Sequence, residues 1–218
     1  MLCSLILACP VQGRCPRQEP HYQQDIDVEY IYASGSQQPY CLAAPHSVDR
    51  QAPDPLDAYA CIYQAFNEGL EQAQGDMIAM IHVCDRLAGL SILAMAAQTL
   101  ERTGCDAVYA DLAYVAGNGS ELPLRYWHSG HLCAENIACG WTPPLACFFA
   151  RRQAIERIKA CQGRYFTESP LPDPWRRTFT LMASVGIRIA YVPRVWVQVP
   201  TYSPTNQVLA RMIGCQDL

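Results

Sequence analysis

Residues 62–85 read IYQAFNEGLEQAQGDMIAMIHVCD, and two different periodicities meet inside them. Up to Ala73 the apolar residues fall at helical spacing. With Tyr59 just upstream, Ile62, Tyr63, Phe66, Leu70 and Ala73 form one stripe. Gly75 then offers a left-handed stop. From Met77 to Val83 the run MIAMIHV is continuously apolar, as expected of a strand buried on both faces. A helix from about Asp57 that leads at once into a buried strand is half of a βαβ unit. The stretch therefore predicts an α/β fold with a mostly parallel central sheet flanked by helices.

Working outward, residues 3–9 (CSLILAC) and 28–32 (VEYIY) are short apolar runs bounded by Pro, Gly and Ser, and read as buried strands. Residues 10–27 and 37–57 are rich in proline and read as irregular. Downstream, Leu87, Leu90, Leu93, Ala97 and Leu100 predict a helix from Leu87 to Thr103 that stops at Gly104. Residues 106–116 predict a strand, and Gly117-Asn118-Gly119 a turn into a strand over Leu122–Trp127. The second half is less regular: a Trp- and Pro-rich loop at 140–147, a helix from near Arg151, another over Trp175–Val185, and apolar runs at 187–192 and 195–199. With no internal repeat or linker, residues 1–218 read as a single domain.

Sixteen basic against twenty acidic residues give a net charge of −4. With no basic run or basic-aromatic ladder, nucleic acid is not an expected partner. The apolar start from Met1 to Cys9 lacks a positive flank and is far too short to span a bilayer, so it reads as the first buried strand. Twelve cysteines occur without a Cys-x-x-Cys pair or an export signal. Most read as small buried hydrophobes in a reducing, cytoplasmic setting.

Four stretches in order, residues 62–85, 106–115 (DAVYADLAYV), 125–130 (RYWHSG) and 140–152 (GWTPPLACFFARR), resemble the pattern of glycosyltransferase family 2, especially the short enzymes of bacterial surface-polysaccharide assembly. A weaker match covers residues 186–206. The resemblance implies a nucleotide-diphospho-sugar transferase, GT-A-like fold. About 1–116 would form the nucleotide-sugar-binding half and about 117–218 the acceptor-side half. It also implies a nucleotide-diphosphate sugar as donor and a saccharide or lipid-linked acceptor, with the protein cytoplasmic or peripheral at the inner face of the membrane.

In that family the strand after Gly-Asp ends in two acidic residues that hold magnesium or manganese against the donor diphosphate. Hard cations need oxygen ligands to offset the charge of the leaving group. Here the two positions are Cys84 and Asp85. Asp85 is the expected metal ligand, in a site weakened by the soft thiol beside it. His82 reads as a packed strand residue. After the second strand the family's carboxylates give way to Ala33 and Gln38, leaving Ser34, Ser36 and Gln38 to hydrogen-bond the nucleotide, or simply to form a turn. Asn67, Asp76 and Asp111 are the further donor-side candidates. Trp141 and Pro144 match the acceptor-side loop, where an aromatic face can stack on a sugar and prolines set direction. Leu145 stands where a histidine is frequent. The resemblance places the catalytic base at Asp173, with Glu168 as second choice, although an Asp before Pro174 also reads as a helix cap. His128 and His131 read as surface residues.

Two readings follow. One is a transferase that depends on Asp85. The other is a catalytically inactive relative retained as a binding or scaffold protein, suggested by Ala33, Gln38, Cys84 and Leu145. A sugar-1-phosphate nucleotidyltransferase would need a glycine-rich loop after the first strand, where residues 10–20 hold only Gly13.

Overall fold

The computed structural model describes residues 1–9, 23–34, 55–116, 122–167 and 173–201, apart from the side chains of residues 55–60. β1 (Leu2–Ala8) and β2 (Asp27–Ala33) precede α1 (Pro55–Gln72) and β3 (Met77–His82). Next come the two-residue β4 (Arg86–Leu87), α2 (Ile92–Thr103), β5 (Ala107–Val115), β6 (Pro123–Trp127) and a short α3 (Ala134–Ala138). A 3-10 turn at Leu145–Cys147 leads into β7 (Phe148–Arg151), followed by α4 (Arg152–Gln162), α5 (Pro174–Ser184) and β8 (Ile189–Pro200).

All eight strands form one sheet in the order β2-β1-β3-β7-β5-β8-β4, with β6 paired to β5. Helices α1, α4 and α5 cover one face, packing Ile62, Phe66, Ile155, Trp175 and Phe179 on Ile6, Met80, Tyr109 and Phe148. On the other face α2 packs Leu93, Ala96, Ala97 and Leu100 against Leu5, Ile81, Val108 and Trp196. Three layers result, because a strand apolar on both sides requires a helix on each.

The α/β class is as the sequence predicts, but the sheet is mixed. β7 runs antiparallel to both β3 and β5. Consequently β1, β2, β3, β5 and β8 share one direction, although β3 and β5 never pair. FFAR is too short to announce itself beside the helix at Arg152, so the expected loop-to-helix transition conceals a strand.

Three further expectations change. The helix expected from Leu87 begins at Ile92, because Arg86 and Leu87 pair with Gln198 and Val197 of β8 and Ala88 donates to the Trp196 carbonyl. Backbone groups committed to a sheet cannot open a helix. Gln23, distant in sequence, accepts from the Leu93 N–H at the helix start (3.0 Å). Gly75 is not left-handed. A Cβ there would lie 2.6 Å from the Ser4 nitrogen and 2.8 Å from the Leu2 carbonyl, so glycine permits close approach to β1. Finally, the runs 187–192 and 195–199 belong to one strand, whose register slips where Pro193 and Arg194 stand opposite the Ala110/Asp111 step.

Candidate functional site

The strands that share a direction end at one edge of the sheet, where ligands gather in open α/β folds. The loops there hold Ser34, just after β2, and Asp85, three residues past β3. Asp111 is the central residue of β5, at its register slip against β8, and not at the strand end where the sequence placed it. The 3-10 turn before β7 fills the gap between β3 and β5, and its Cys147 thiol donates to the Asp111 carbonyl (3.3 Å). Burial first, then the charges of Asp85 and Asp111, push the Cys147 thiol well above its ordinary pKa. Both carboxylates thus act on one side chain.

Asp111 is buried, and its charge is met by hydrogen bonds from separate elements. Oδ1 accepts from the Ser129 N–H and the Tyr191 hydroxyl, each at 2.8 Å. Oδ2 lies 3.2 Å from His128 Nδ1. The His128 side chain is 76% exposed, so that pair is screened by water. Register places Tyr191 on β8 beside Tyr109 on β5, and their rings stack at 5.1 Å. Burial first, then the hydrogen bond to Asp111, raises the Tyr191 pKa. Tyr191 is therefore a donor, and it orients the carboxylate.

Asp85 has 0% exposure, and Oδ2 accepts from the His82 N–H at 3.3 Å. A carboxylate so covered reaches a ligand only after the groups above it part. His82 packs within the strand end as expected: its Nδ1 accepts from the Cys84 N–H (3.1 Å), leaving the proton on Nε2. Burial lowers its pKa to about 3, so the ring is neutral. Burial first, then the Asp85 and Cys9 charges, raises the Cys84 thiol to about 11. Tyr114 is raised to about 12 by burial, with Arg125 pulling down and Cys147 and Asp85 pushing up. Among the described residues, His82 Nε2 and the Tyr114 hydroxyl are buried without a hydrogen-bond partner. Two unused donors near a candidate ligand edge are a feature that packing alone does not account for.

These residues fit a resident divalent metal poorly. Cys84 stays a protonated thiol, and His82 has committed Nδ1 to the backbone. Among the described residues, no group of three or more His, Cys, Asp or Glu is arranged to hold a metal ion. Asp85 is the carboxylate that the sequence resemblance assigns to a cation.

The other candidates divide. Trp141 is half-buried and edge-packs on Tyr109 (6.0 Å) and Phe179 (6.2 Å), which joins it through Tyr109 and Tyr191 to Asp111. Pro144 is buried and caps the 3-10 turn, accepting from the Cys147 N–H at 3.0 Å. It positions the turn and presents no acceptor face. Asp173 caps α5: Oδ1 accepts from the Trp175 N–H (3.1 Å) and also from the Tyr63 hydroxyl (2.9 Å). Trp175 in turn donates to the Pro143 carbonyl (2.6 Å), tying that cap to the Trp141 loop.

Two donor-side expectations are corrected. Asn67 uses both ends of its amide on the Phe166 backbone, donating at 2.9 Å and accepting at 2.8 Å, and so joins α1 to the chain after α4. Asp76 precedes β3, at the edge opposite Asp85 and roughly 20 Å away along six strand residues. There it accepts from the Leu2 N–H (3.0 Å) and secures the start of β1. Ser36, Gln38 and Glu168 lie outside the described residues.

Sequence reasoning missed Tyr191, Ser129 and Cys147; His128 is at the surface as expected, while its Nδ1 also reaches Asp111. The available signal was the polar Tyr191 inside an apolar run neighbouring β5.

No family model matches the sequence, and neither does any curated protein. Among solved structures, S. aureus TarS superimposes with a TM-score of 0.58 at 14% identity, over 98% of this chain and 39% of that one. TarS 1–349 in complex with UDP gives 0.56 at 15% identity, over 98% of this chain and 64% of that one. The UDP-GlcNAc complex of TarS 1–349 gives 0.52 at 12% identity, over 93% and 59%. This chain thus spans less than two thirds of each of these neighbours. At such identities the likeness is one of fold alone: an α/β domain whose mixed sheet lies between helices.

Proposed function

We propose that this protein is a glycosyltransferase that moves a sugar from a nucleotide-diphosphate donor to a saccharide or lipid-linked acceptor in cell-surface polysaccharide assembly, as the family 2 resemblance implies. The observation that carries the reading is the pair of buried carboxylates, Asp85 just past β3 and Asp111 in β5, whose charges both act on the buried Cys147 thiol between these strands. UDP and UDP-GlcNAc, bound by TarS 1–349, are the first donors to try. His82 Nε2 and the Tyr114 hydroxyl supply donors for phosphate or ribose oxygens, and Ser34 adds a hydroxyl at the same edge. Were a magnesium or manganese ion bound with the diphosphate, Asp85 is the residue that would hold it, in a site weakened by the Cys84 thiol, and the ion would supply charge neutralisation at the leaving group.

Asp111, held by Tyr191 and Ser129, orients the donor-side hydroxyls, while Trp141 offers an aromatic edge to the acceptor. Asp173 keeps the role of base implied by the resemblance, taking the proton from the attacking hydroxyl. The protein would work in the cytoplasm or against the inner membrane face. Among the described residues no helix is long and apolar enough to cross a membrane.

The decisive experiment incubates the protein with a panel of nucleotide-diphosphate sugars and manganese, and measures nucleoside diphosphate release alongside donor binding. Turnover that falls at least a hundredfold in Asp111→Asn and Asp85→Asn supports the proposal. If no donor binds or turns over, it is wrong.

A second reading, an inactive relative that binds without catalysis, is favoured by the protonated Cys84 thiol standing where a second carboxylate is expected. Under it Cys84→Asp gains metal-dependent donor affinity without turnover, whereas wild-type turnover rules it out.

A further inference from the structure

A cleft of about 700 Å³ opens between α2 and β8. One wall is a stripe of α2: Met95, Gln98, Thr99 and Arg102 stand at i, i+3, i+4 and i+7. The other wall is Val192, Arg194 and Trp196, from the stretch where β8 slips twice in register against Ala110, Asp111 and Leu112. Slips of this kind re-aim side chains and concentrate beside binding sites. None of the candidate-site residues lines the cleft. Trp196 packs in the α2 layer, whereas Tyr191, which holds Asp111, packs in the layer of α1, α4 and α5.

The polar groups of this lining are largely without partners. Among the described residues the side chains of Gln98, Arg102 and Arg194 make no hydrogen bond or ion pair, and the buried Trp196 Nε1–H has no acceptor. Only the Thr99 hydroxyl is committed, donating to the Met95 carbonyl (2.7 Å). Two guanidiniums share the lining with one carboxylate, Glu101, so the cleft is positive in a chain of net charge −4. A buried orphan donor beneath two free arginines calls for an acceptor-rich anion, and guanidinium geometry suits phosphate.

The shape narrows the class. A volume of about 700 Å³ lies within the range of small-molecule sites and far exceeds one inorganic phosphate. Half-buried Met95 and Val192 give an apolar floor. Trp196 is 1% exposed and leaves no open ring face for a nucleobase to stack on, which favours a sugar. A peptide strand is the other occupant to consider, because β4 pairs only with Val197 and Gln198 of β8. Pro193, which has no N–H to give, and the exposed charge of Arg194 oppose strand addition there.

We infer that this cleft is a second ligand site, for a phosphorylated sugar. Arg102 and Arg194 hold the phosphate, the ring lies over Met95 and Val192, and a ligand oxygen accepts from Trp196 Nε1. The inference does not depend on the transferase reading.

Calorimetric titration of the full chain with glucose 6-phosphate is compared with glucose and with inorganic phosphate. Wild type should bind glucose 6-phosphate at least about tenfold more tightly than either fragment. Arg102→Gln/Arg194→Gln should lose that gain at an unchanged melting temperature, since both side chains are exposed. Trp196→Phe keeps the ring but deletes the N–H, and should weaken binding about three- to tenfold. The inference is overturned if phosphate alone binds as tightly, which would make the cleft an unselective anion patch, or if either variant binds like wild type. Displacement of glucose 6-phosphate by excess UDP-GlcNAc also overturns it, by placing the ligand in the candidate active site. So does self-association that the arginine double variant abolishes, which would make the cleft a subunit contact.

Discussion

Tyr191 on β8 donates its phenolic hydrogen to Asp111 on β5 across 2.8 Å, so a residue from the last strand fixes a carboxylate on its parallel neighbour. Hydrogen bonds to charged groups contribute about 1.5–3 kcal/mol when buried. Tyr191→Phe should therefore lower stability by about 1–3 kcal/mol in urea unfolding. It should also reduce kcat more than donor affinity, since the carboxylate stays but turns. If kcat is unchanged, Tyr191 has no part in positioning Asp111 for turnover.

Asp173 can be tested as base and as cap separately. Asparagine caps a helix about as well as aspartate but accepts no proton, whereas alanine loses the cap at a cost of about 0.5–2 kcal/mol. Asp173→Asn should keep the wild-type melting temperature and lose at least a hundredfold in turnover. Asp173→Ala should lose both. Full activity in the asparagine variant would reduce Asp173 to the cap and the Tyr63 contact.

His82 makes stability depend on pH. Its pKa is about 3 when folded, against 6.5 when unfolded. Below pH 6.5 the unfolded chain binds a proton that the folded chain does not. Stability is therefore undiminished above pH 6.5 and falls by up to ~1.4 kcal/mol per unit on acidification, until the folded pKa is reached. Between pH 6.5 and 5, denaturant unfolding should show a loss of about 2 kcal/mol, and His82→Asn should flatten that slope. Glu29 acts at lower pH. Burial opposes its ionisation, but hydrogen bonds from Ser4, Gln74 and Gly75 and the charge of Arg152 outweigh it, so its pKa is lowered.

Cys84 should resist alkylation. A thiol held at about 11 rather than 9 carries about a hundredfold less thiolate at pH 8. Mass spectrometry after brief iodoacetamide treatment should find Cys139 and Cys161, both exposed, labelled long before Cys84. Equally rapid labelling would show that the loop at Asp85 opens freely, in conflict with the covered carboxylate.

Helix α1 and strands β1, β3 and β5 were legible because their periodicities are long and unmixed; Asp85 came from the family resemblance, and Asp111, expected at a strand end, stands at the centre of β5. Asp76 misled for a simple geometric reason: it is near Asp85 in sequence, but an intervening strand carries the two to opposite edges. Asn67 sits in a family-like run yet spends its amide on Phe166, a partner 99 residues away that no local pattern reveals. Tyr191 and Cys147 were hidden likewise, since their roles arise from pairing between β5 and β8 and from a 3-10 turn only three residues long. Gly75 was recognised as necessary on the wrong ground: it makes room for β1 rather than turning the chain.

The reversed strand β7 also sets an order of assembly. During synthesis β1, β2 and β3 emerge as one group, and β5 with β6 as another, and among the described residues no hydrogen-bonded strand joins the groups until Phe148–Arg151 appears. A nascent chain halted before Phe148 holds two sheet fragments with open edges, and Asp85 and Asp111 belong to different fragments. Those four residues thus decide when the halves of the candidate site first become neighbours.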